Sequence, residues 1–335
     1  MPEERYIMKV INVNTAMGEA LSEEMNRDSK VMLLGEGVQA KYHALAQQFG
    51  ELRVRNTPLA EAVVAGTAVG AAASGLRPVV DLLFAPFLTY AMDAIVNSAG
   101  KLRFVSGGQF EFPVVFLALT GAGWGVGAQH NHNIEAWFAH APGLKVVMPS
   151  TPADFKGLLK ASIRDNNPVV FFCDLALGPT EGPVQDGDAS LVPIGKAVIR
   201  RSGTDLTLVS YGKTVGHCME AARLLEAGDI SVEIIDLRTI KPWDRECVLE
   251  SVKRTGRLLV VHEAAVSFGV GAEISAFVAE HAFHELRSPI TRLGGPDAPA
   301  PASWVLEQAG VPQALGIAET ARNLIGHSEP IAALP

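Results

Sequence analysis

Short apolar runs closed by glycine or proline recur along this chain, with helix-like segments between most of them, and that alternation constrains the fold more than any other feature. The runs cover 30–34, 52–55, 78–84, 113–119, 144–148 and 169–173. Runs of this length read as strands buried on both faces, and strands spaced by helices require a parallel sheet with helices on either side. Apolar residues at helical intervals predict a first helix over 14–28. Thr151-Pro152 supplies an N-cap and a first-turn proline for a helix over 153–164, which Asp165-Asn-Asn-Pro168 stops. Between 175 and 205 the pattern gives way to Gly, Pro, Asp and Thr, as expected of a connection between domains. A second series follows, with strands at 206–209, 231–237, 257–261 and 290–293 and helices at 215–227, 244–253 and 271–283. A length of 335 residues suits two domains. The expectation is therefore two three-layer α/β domains, residues 1–185 and 206–335, with 186–205 holding the linker and a first strand.

Composition removes several function classes. The chain carries 28 Lys and Arg against 36 Asp and Glu, and no basic cluster that would track a phosphate backbone, so nucleic acid is not an expected partner. The apolar stretches 113–119 and 168–173 fall far short of the roughly 20 residues that cross a bilayer. The N-terminal Met-Pro-Glu-Glu-Arg lacks the apolar core of a secretory signal. Cys173, Cys218 and Cys247 are odd in number and too far apart for CxxC chemistry or a compact zinc site, so reduced thiols in a cytoplasmic protein are expected.

Three places could carry chemistry. Gly121-Ala-Gly-Trp-Gly-Val-Gly127 offers backbone amides to an anion, but it lacks the Lys-Ser/Thr ending of a nucleotide loop and does not follow the first strand, so a tight structural loop is favoured. After it come His130 and His132. No third metal ligand lies nearby, and a histidine at a loop-to-helix junction suits proton transfer, beside the plainer role of a cap or core residue. Glu61 closes Asn56-Thr-Pro-Leu-Ala-Glu61. There Thr57 reads as a cap, Pro58 as a first-turn residue and Glu61 as a carboxylate favoured by the helix dipole. The run 60–75 is so poor in bulk that a neighbouring helix or a ligand is expected to approach it closely. His262 ends a strand, where a solvent-edge or interface role is expected.

In order and spacing the segments resemble the β subunits of the thiamine-diphosphate-dependent first component of 2-oxoacid dehydrogenase complexes. The matching pieces include Val31-Met-Leu-Leu-Gly-Glu36, Asn56-Thr-Pro-Leu-Ala-Glu61, Gly66-Thr-Ala-Val-Gly-Ala-Ala72, Phe84-Ala-Pro-Phe87 and Gly127-Ala-Gln-His130. Further on come Pro142-Gly-Leu-Lys-Val-Val-Met-Pro149, Asp165-Asn-Asn-Pro168, Asp236-Leu-Arg-Thr239 and Phe268-Gly-Val-Gly-Ala-Glu273. The resemblance implies a transketolase-like pyrimidine-binding domain followed by a transketolase C-terminal-like domain. It also implies an α2β2 heterotetramer whose α subunit holds the cofactor diphosphate through Mg²⁺. This chain contains no Gly-Asp-Gly metal-diphosphate motif, in keeping with half an active site.

By position, Glu61 resembles the glutamate that hydrogen-bonds the aminopyrimidine ring nitrogen and promotes its imino tautomer. Leu59 and Phe87 resemble the apolar side chains packed on the pyrimidine, and His130 a histidine that assists substrate or acyl-transfer steps. The resemblance further implies a structural potassium ion on backbone carbonyls of Phe112, Val114, Val115, Ser162, Asp165 and Asn167.

The implied reaction is decarboxylation of a 2-oxoacid and transfer of the acyl group to a lipoyl group on an acyltransferase core. Departures from the family pattern crowd the substrate side: Asn131-His132 where Ser-Gln is common, Pro86 for an acidic or amide residue, Leu117 near a frequent Arg, and Leu175-Ala-Leu-Gly178 near the linker. Acetoin cleavage or acyloin formation is therefore an alternative within the enzymes. A non-catalytic docking subunit, binding the acyltransferase through the domain from 206, is the alternative outside them.

Overall fold

The apolar runs become the strands of two sheets. The structure is a computed structural model and describes residues 8–326. The larger sheet has seven strands in the order Thr239–Lys241, Lys145–Val147, Val169–Asp174, Val115–Thr120, Arg77–Phe84, Val31–Gly35 and Val54–Asn56. All neighbours run parallel except the edge strand Thr239–Lys241. Every residue of Val169–Asp174 is buried, as a strand covered on both faces must be. Alternate side chains serve opposite faces. Val31, Leu33, Val79, Leu117 and Phe171 pack on the helices Val13–Arg27 and Pro152–Arg164, while Leu34, Val80, Phe116 and Phe172 pack on the side of helix Glu61–Ala73.

The second sheet orders its strands Thr291–Gly295, Leu258–Ala265, Leu206–Ser210, Val232–Asp236 and Val198–Arg201, the last antiparallel to its neighbour. Helices Thr214–Glu226 and Ala314–Gly326 cover one face, through Cys218, Ala221, Leu225, Ile317 and Ala321. Helices Arg245–Thr255 and Val270–Ala282 cover the other. There the core is shared between the halves: Val209, Tyr211, Ile235 and Val260 belong to the same apolar cluster as Val80, Phe116 and Phe138.

The connecting stretch is firmly tied down. Glu181–Val184 pairs antiparallel with Lys9–Asn12. Two lysines buried on the helix Pro152–Arg164 reach it, Lys156 Nζ donating to Asp186 at 2.8 Å and Lys160 Nζ to Ser190 at 3.1 Å. The strand Thr239–Lys241, from the C-terminal half, crosses back to close the edge of the first sheet. Among the described residues, no helix is long and apolar enough to cross a membrane.

Candidate active site

Glu61 stands where a strand of the larger sheet hands over to a helix. The sequence reading placed a Thr57 cap and Pro58 in the first turn, and the structure corrects this. The helix runs from Glu61 to Ala73 with Ala60 at its N-cap and no side-chain cap. Thr57 N donates to Gly35 O at 3.0 Å, so residues 57–60 continue outward from the sheet before the helix turns. Glu61 is half-buried at the positive end of the helix, and none of the described residues engages its carboxylate by a hydrogen bond or ion pair. It lines a cavity of about 20 Å³ with Glu36, Leu59, Val64, Asp81, Leu82 and Leu83. That volume holds little more than one water, so these residues line a shallow recess rather than a pocket able to enclose a ligand. The bulk-poor helix was expected to be closely approached. The helix Asp93–Ala99 approaches it on the side of Ala65, Ala68 and Ala72, which are buried in one cluster with Ala94 and Ile95, whereas beyond Gly66 and Gly70 nothing lies within 4 Å of where a Cβ would stand.

Leu83 had no signal in the sequence. It adopts φ 60°, sparsely populated for a branched residue, and this turns the end of strand Arg77–Phe84 toward the cavity. Its amide donates to Asp81 Oδ1 at 3.1 Å, and Asp81 is itself held by Lys41 Nζ at 2.6 Å. The next residue, Phe84, meets Phe87 and His130 edge-on, with ring centroids 5.8 and 5.1 Å away, and Phe87 and His130 are 5.2 Å apart. The structure thus brings Leu59 to the cavity of Glu61 and Phe87 into contact with His130, and the consecutive residues Leu83 and Phe84 join the two groups. Leu59 is largely exposed and Phe87 half-buried. His132 lies outside this group, against Trp137.

Three amides of the glycine loop are already engaged within this chain. Ala122 N donates to Glu263, and Gly123 N and Gly125 N donate to Glu307. Behind the loop lies a buried charge cluster. Lys213 Nζ pairs with Glu263 at 2.6 Å and donates to Ala122 O, and Lys213 N donates to Asp174 at 3.2 Å. Burial pushes the Asp174 carboxyl up to about 7, against the pull of Lys213 and with the help of Glu263. Tyr211 donates to Glu135 at 2.6 Å, and burial raises the Glu135 carboxyl as well. His262, expected at a solvent edge or an interface, does not lie at a solvent edge: it is fully buried, its ring stacks on Tyr211, Gly269 and Gly271 crowd it, and burial lowers its pKa to about 4.

Carboxylates that could hold a metal ion converge at one place among the described residues. Among the described residues, the acidic trio able to converge on an ion is Glu19, Glu23 and Asp186, and it is already paired with Lys9, Lys156 and Lys160. The two segments named for potassium do meet, Phe112 N donating to Asn166 O at 3.2 Å. Positive charge is already supplied there, since Arg77 donates to the carbonyls of Ile163 and Asp165, and Arg103 to that of Asn166.

Comparison with known proteins gives this geometry a lineage. Residues 9–178 match the transketolase pyrimidine-binding domain and residues 195–317 the transketolase C-terminal domain. The chain is 43% identical to pyruvate dehydrogenase E1 component subunit beta-2, mitochondrial, of Oryza sativa subsp. japonica, over 97% of this chain and 89% of that protein. It is 43% identical to 2-oxoisovalerate dehydrogenase subunit beta of Bacillus subtilis, over 88% and 91%, and 42% identical to the acetoin:2,6-dichlorophenolindophenol oxidoreductase subunit beta of Cupriavidus necator, over 93% and 97%. In fold it resembles a split-gene transketolase solved as an inactive β4 tetramer, with TM-score 0.78 and 24% identity over 95% of this chain and 99% of that one. The chain belongs to the family of 2-oxoacid dehydrogenase E1 β subunits, built from the transketolase pyrimidine-binding and C-terminal domains.

Proposed function

We propose that this chain is the β subunit of a thiamine-diphosphate-dependent 2-oxoacid dehydrogenase, joined to an α subunit in an α2β2 heterotetramer and passing its acyl group to a lipoyl acyltransferase core. The observation that carries the reading is the carboxylate of Glu61, without a partner among the described residues, at the rim of a recess walled by Leu59, Val64, Leu82 and Leu83. A carboxylate beside Leu59 and Leu83, with Phe84 next along the chain and in edge contact with Phe87, suits the ring nitrogen and the faces of an aminopyrimidine. Thiamine diphosphate would supply the electron sink that decarboxylation requires. This chain's part is narrower. Glu61 holds a proton at the ring nitrogen, Leu83 and Phe87 orient the ring and exclude water, and His130 stands next to Phe87 to exchange a proton with the substrate or acyl acceptor.

That the diphosphate and its Mg²⁺ belong to the α subunit is supported by the three occupied amides of the glycine loop, at Ala122, Gly123 and Gly125, and by the paired acidic trio. The cytoplasmic placement is supported by three free cysteines. Potassium on the carbonyls of the 112–115 and 162–167 segments is part of the same proposal. It is tested by melting the complex in KCl against choline chloride, where a bound ion is expected to raise Tm.

The relatives named above differ in substrate at nearly equal identity, so the test is a panel. The chain co-produced with its α subunit is assayed on pyruvate, branched-chain 2-oxoacids and acetoin. The expected result is turnover that needs both subunits, thiamine diphosphate and Mg²⁺. A chain that binds the cofactor and turns over alone would overturn the reading, and activity on acetoin with none on 2-oxoacids would replace it with the acetoin alternative.

A further inference from the structure

The loop before His130 cannot set its own shape. Its four glycines take φ of 88°, 147°, 62° and 75° at Gly121, Gly123, Gly125 and Gly127, a region where glycine is free to move among many conformations. What fixes it comes from the C-terminal domain. One oxygen of Glu307 accepts Gly123 N at 3.0 Å and Gly125 N at 3.2 Å, and the other accepts Asn131 Nδ2 at 3.2 Å. Glu307 therefore grips the loop in its middle and again just past His130. Between these grips His130 N and Asn131 N both donate to Gly127 O, at 3.1 and 3.0 Å, so a shift of the loop carries the imidazole with it.

The helix that bears Glu307 has little other reason to sit where it does. In Trp304–Ala309, Glu307 is the sole buried residue, at 2% exposure, whereas Trp304, Val305 and Leu306 are more than half exposed. Burying a carboxylate is costly unless donors meet it, and here three N–H groups do. Ala302, just ahead of the helix, closes on the loop as well: a Cβ at Gly125 would meet its carbonyl oxygen at 2.9 Å.

We propose that Glu307 is a positioning residue for His130, a carboxylate clamp through which the C-terminal domain holds the imidazole against Phe84 and Phe87. The inference rests on the reading of His130 as a functional group of the site. Glu307 touches neither substrate nor cofactor; it acts through the loop.

The test is a double-mutant cycle in the assembled complex with thiamine diphosphate, Mg²⁺ and the preferred substrate. Glu307→Ala is expected to lower kcat by about 10- to 100-fold, the scale of a catalytic group displaced by about an ångström. Glu307→Gln is expected to recover part of that loss, because its amide oxygen still accepts the two loop amides. The decisive variant combines Glu307→Ala with His130→Ala and is expected to be no slower than His130→Ala alone, since residues acting as one unit are not additive. Asn131→Ala removes only the grip beyond His130 and serves the same cycle if Glu307→Ala fails to assemble. Losses that multiply in the double variant, or a Gln variant as slow as the Ala variant, would overturn the clamp while leaving the proposed function standing. His130→Ala with full activity would overturn the reading beneath it.

Discussion

Replacing Glu61 by Gln is expected to lower kcat of the assembled complex by about 10²- to 10⁴-fold, the usual contribution of a positioned proton-transfer group. The substitution keeps size and shape, and the cavity wall of Leu59, Leu82 and Leu83 is untouched. What it removes is the ability to share a proton with a ring nitrogen, because an amide neither binds nor releases one near neutral pH. Stability is expected to change little. Glu61 makes no ion pair or hydrogen bond with the described residues, and its favourable place in the first helical turn is worth about 0.3–1 kcal/mol. A large fall in kcat with an unchanged Tm and intact assembly separates a chemical role from the plain role of a helix-end carboxylate. The docking-subunit alternative predicts the opposite: Glu61→Gln at wild-type rate. Steady-state kinetics on the best substrate of the panel, with thiamine diphosphate saturating, decides between them.

Much of this arrangement is legible from local pattern, and the rest is not for identifiable reasons. The strands at 31–35, 77–84, 115–120 and 169–174 announce themselves because each is buried on both faces and so is apolar at nearly every position. From its place after a strand and at the head of an Ala/Gly-rich helix, Glu61 reads only as a helix-end carboxylate; its proposed proton-sharing role comes from the resemblance. The error over Thr57 and Pro58 arose because both are good helix starters by type, while the Thr57 amide is taken by Gly35 across the sheet. Thr239–Lys241 escapes notice because three residues carry no period, and its partner strand lies almost a hundred positions earlier. The pairing of Glu263 with Ala122 and of Glu307 with Gly123 spans 141 and 184 positions, beyond the reach of any local signal. The same holds for Leu83, whose φ is imposed by Asp81, Lys41 and the turn around them.

Lys213→Met is expected to cost about 3–5 kcal/mol at pH 8, the scale for breaking a buried pair by removing one partner. Lys213 and Glu263 are both about nine-tenths buried, and Lys213 is the cation that Asp174 and Glu263 share. The two carboxylates approach the same point, each within 3.1 Å of where a Cβ on Gly121 would stand, so neither can turn away from the other once the cation is gone. The cost should therefore depend on pH, and its sign follows from proton counts. Burial already holds the Asp174 carboxyl at about 7, so between about pH 4 and 7 the folded chain binds more protons than the unfolded one, and stability falls as pH rises through that window. Removing Lys213 strengthens this effect, making the deficit largest at pH 8 and smaller at pH 5. His262 works in the other direction. With its pKa lowered to about 4, it binds fewer protons folded than unfolded up to about 6.5, and stability rises with pH there. That contribution is common to both proteins and cancels in the difference. Melting the assembled complex at the two pH values checks the sign: a fall in Tm of about 4–7 °C at pH 8 that shrinks at pH 5 is expected. A fall of equal size at both would mean that lost packing, not unpaired charge, is the cost. The double variant Lys213→Met with Glu263→Gln is expected to regain part of the loss at pH 8, because it removes the charge that the lysine leaves behind.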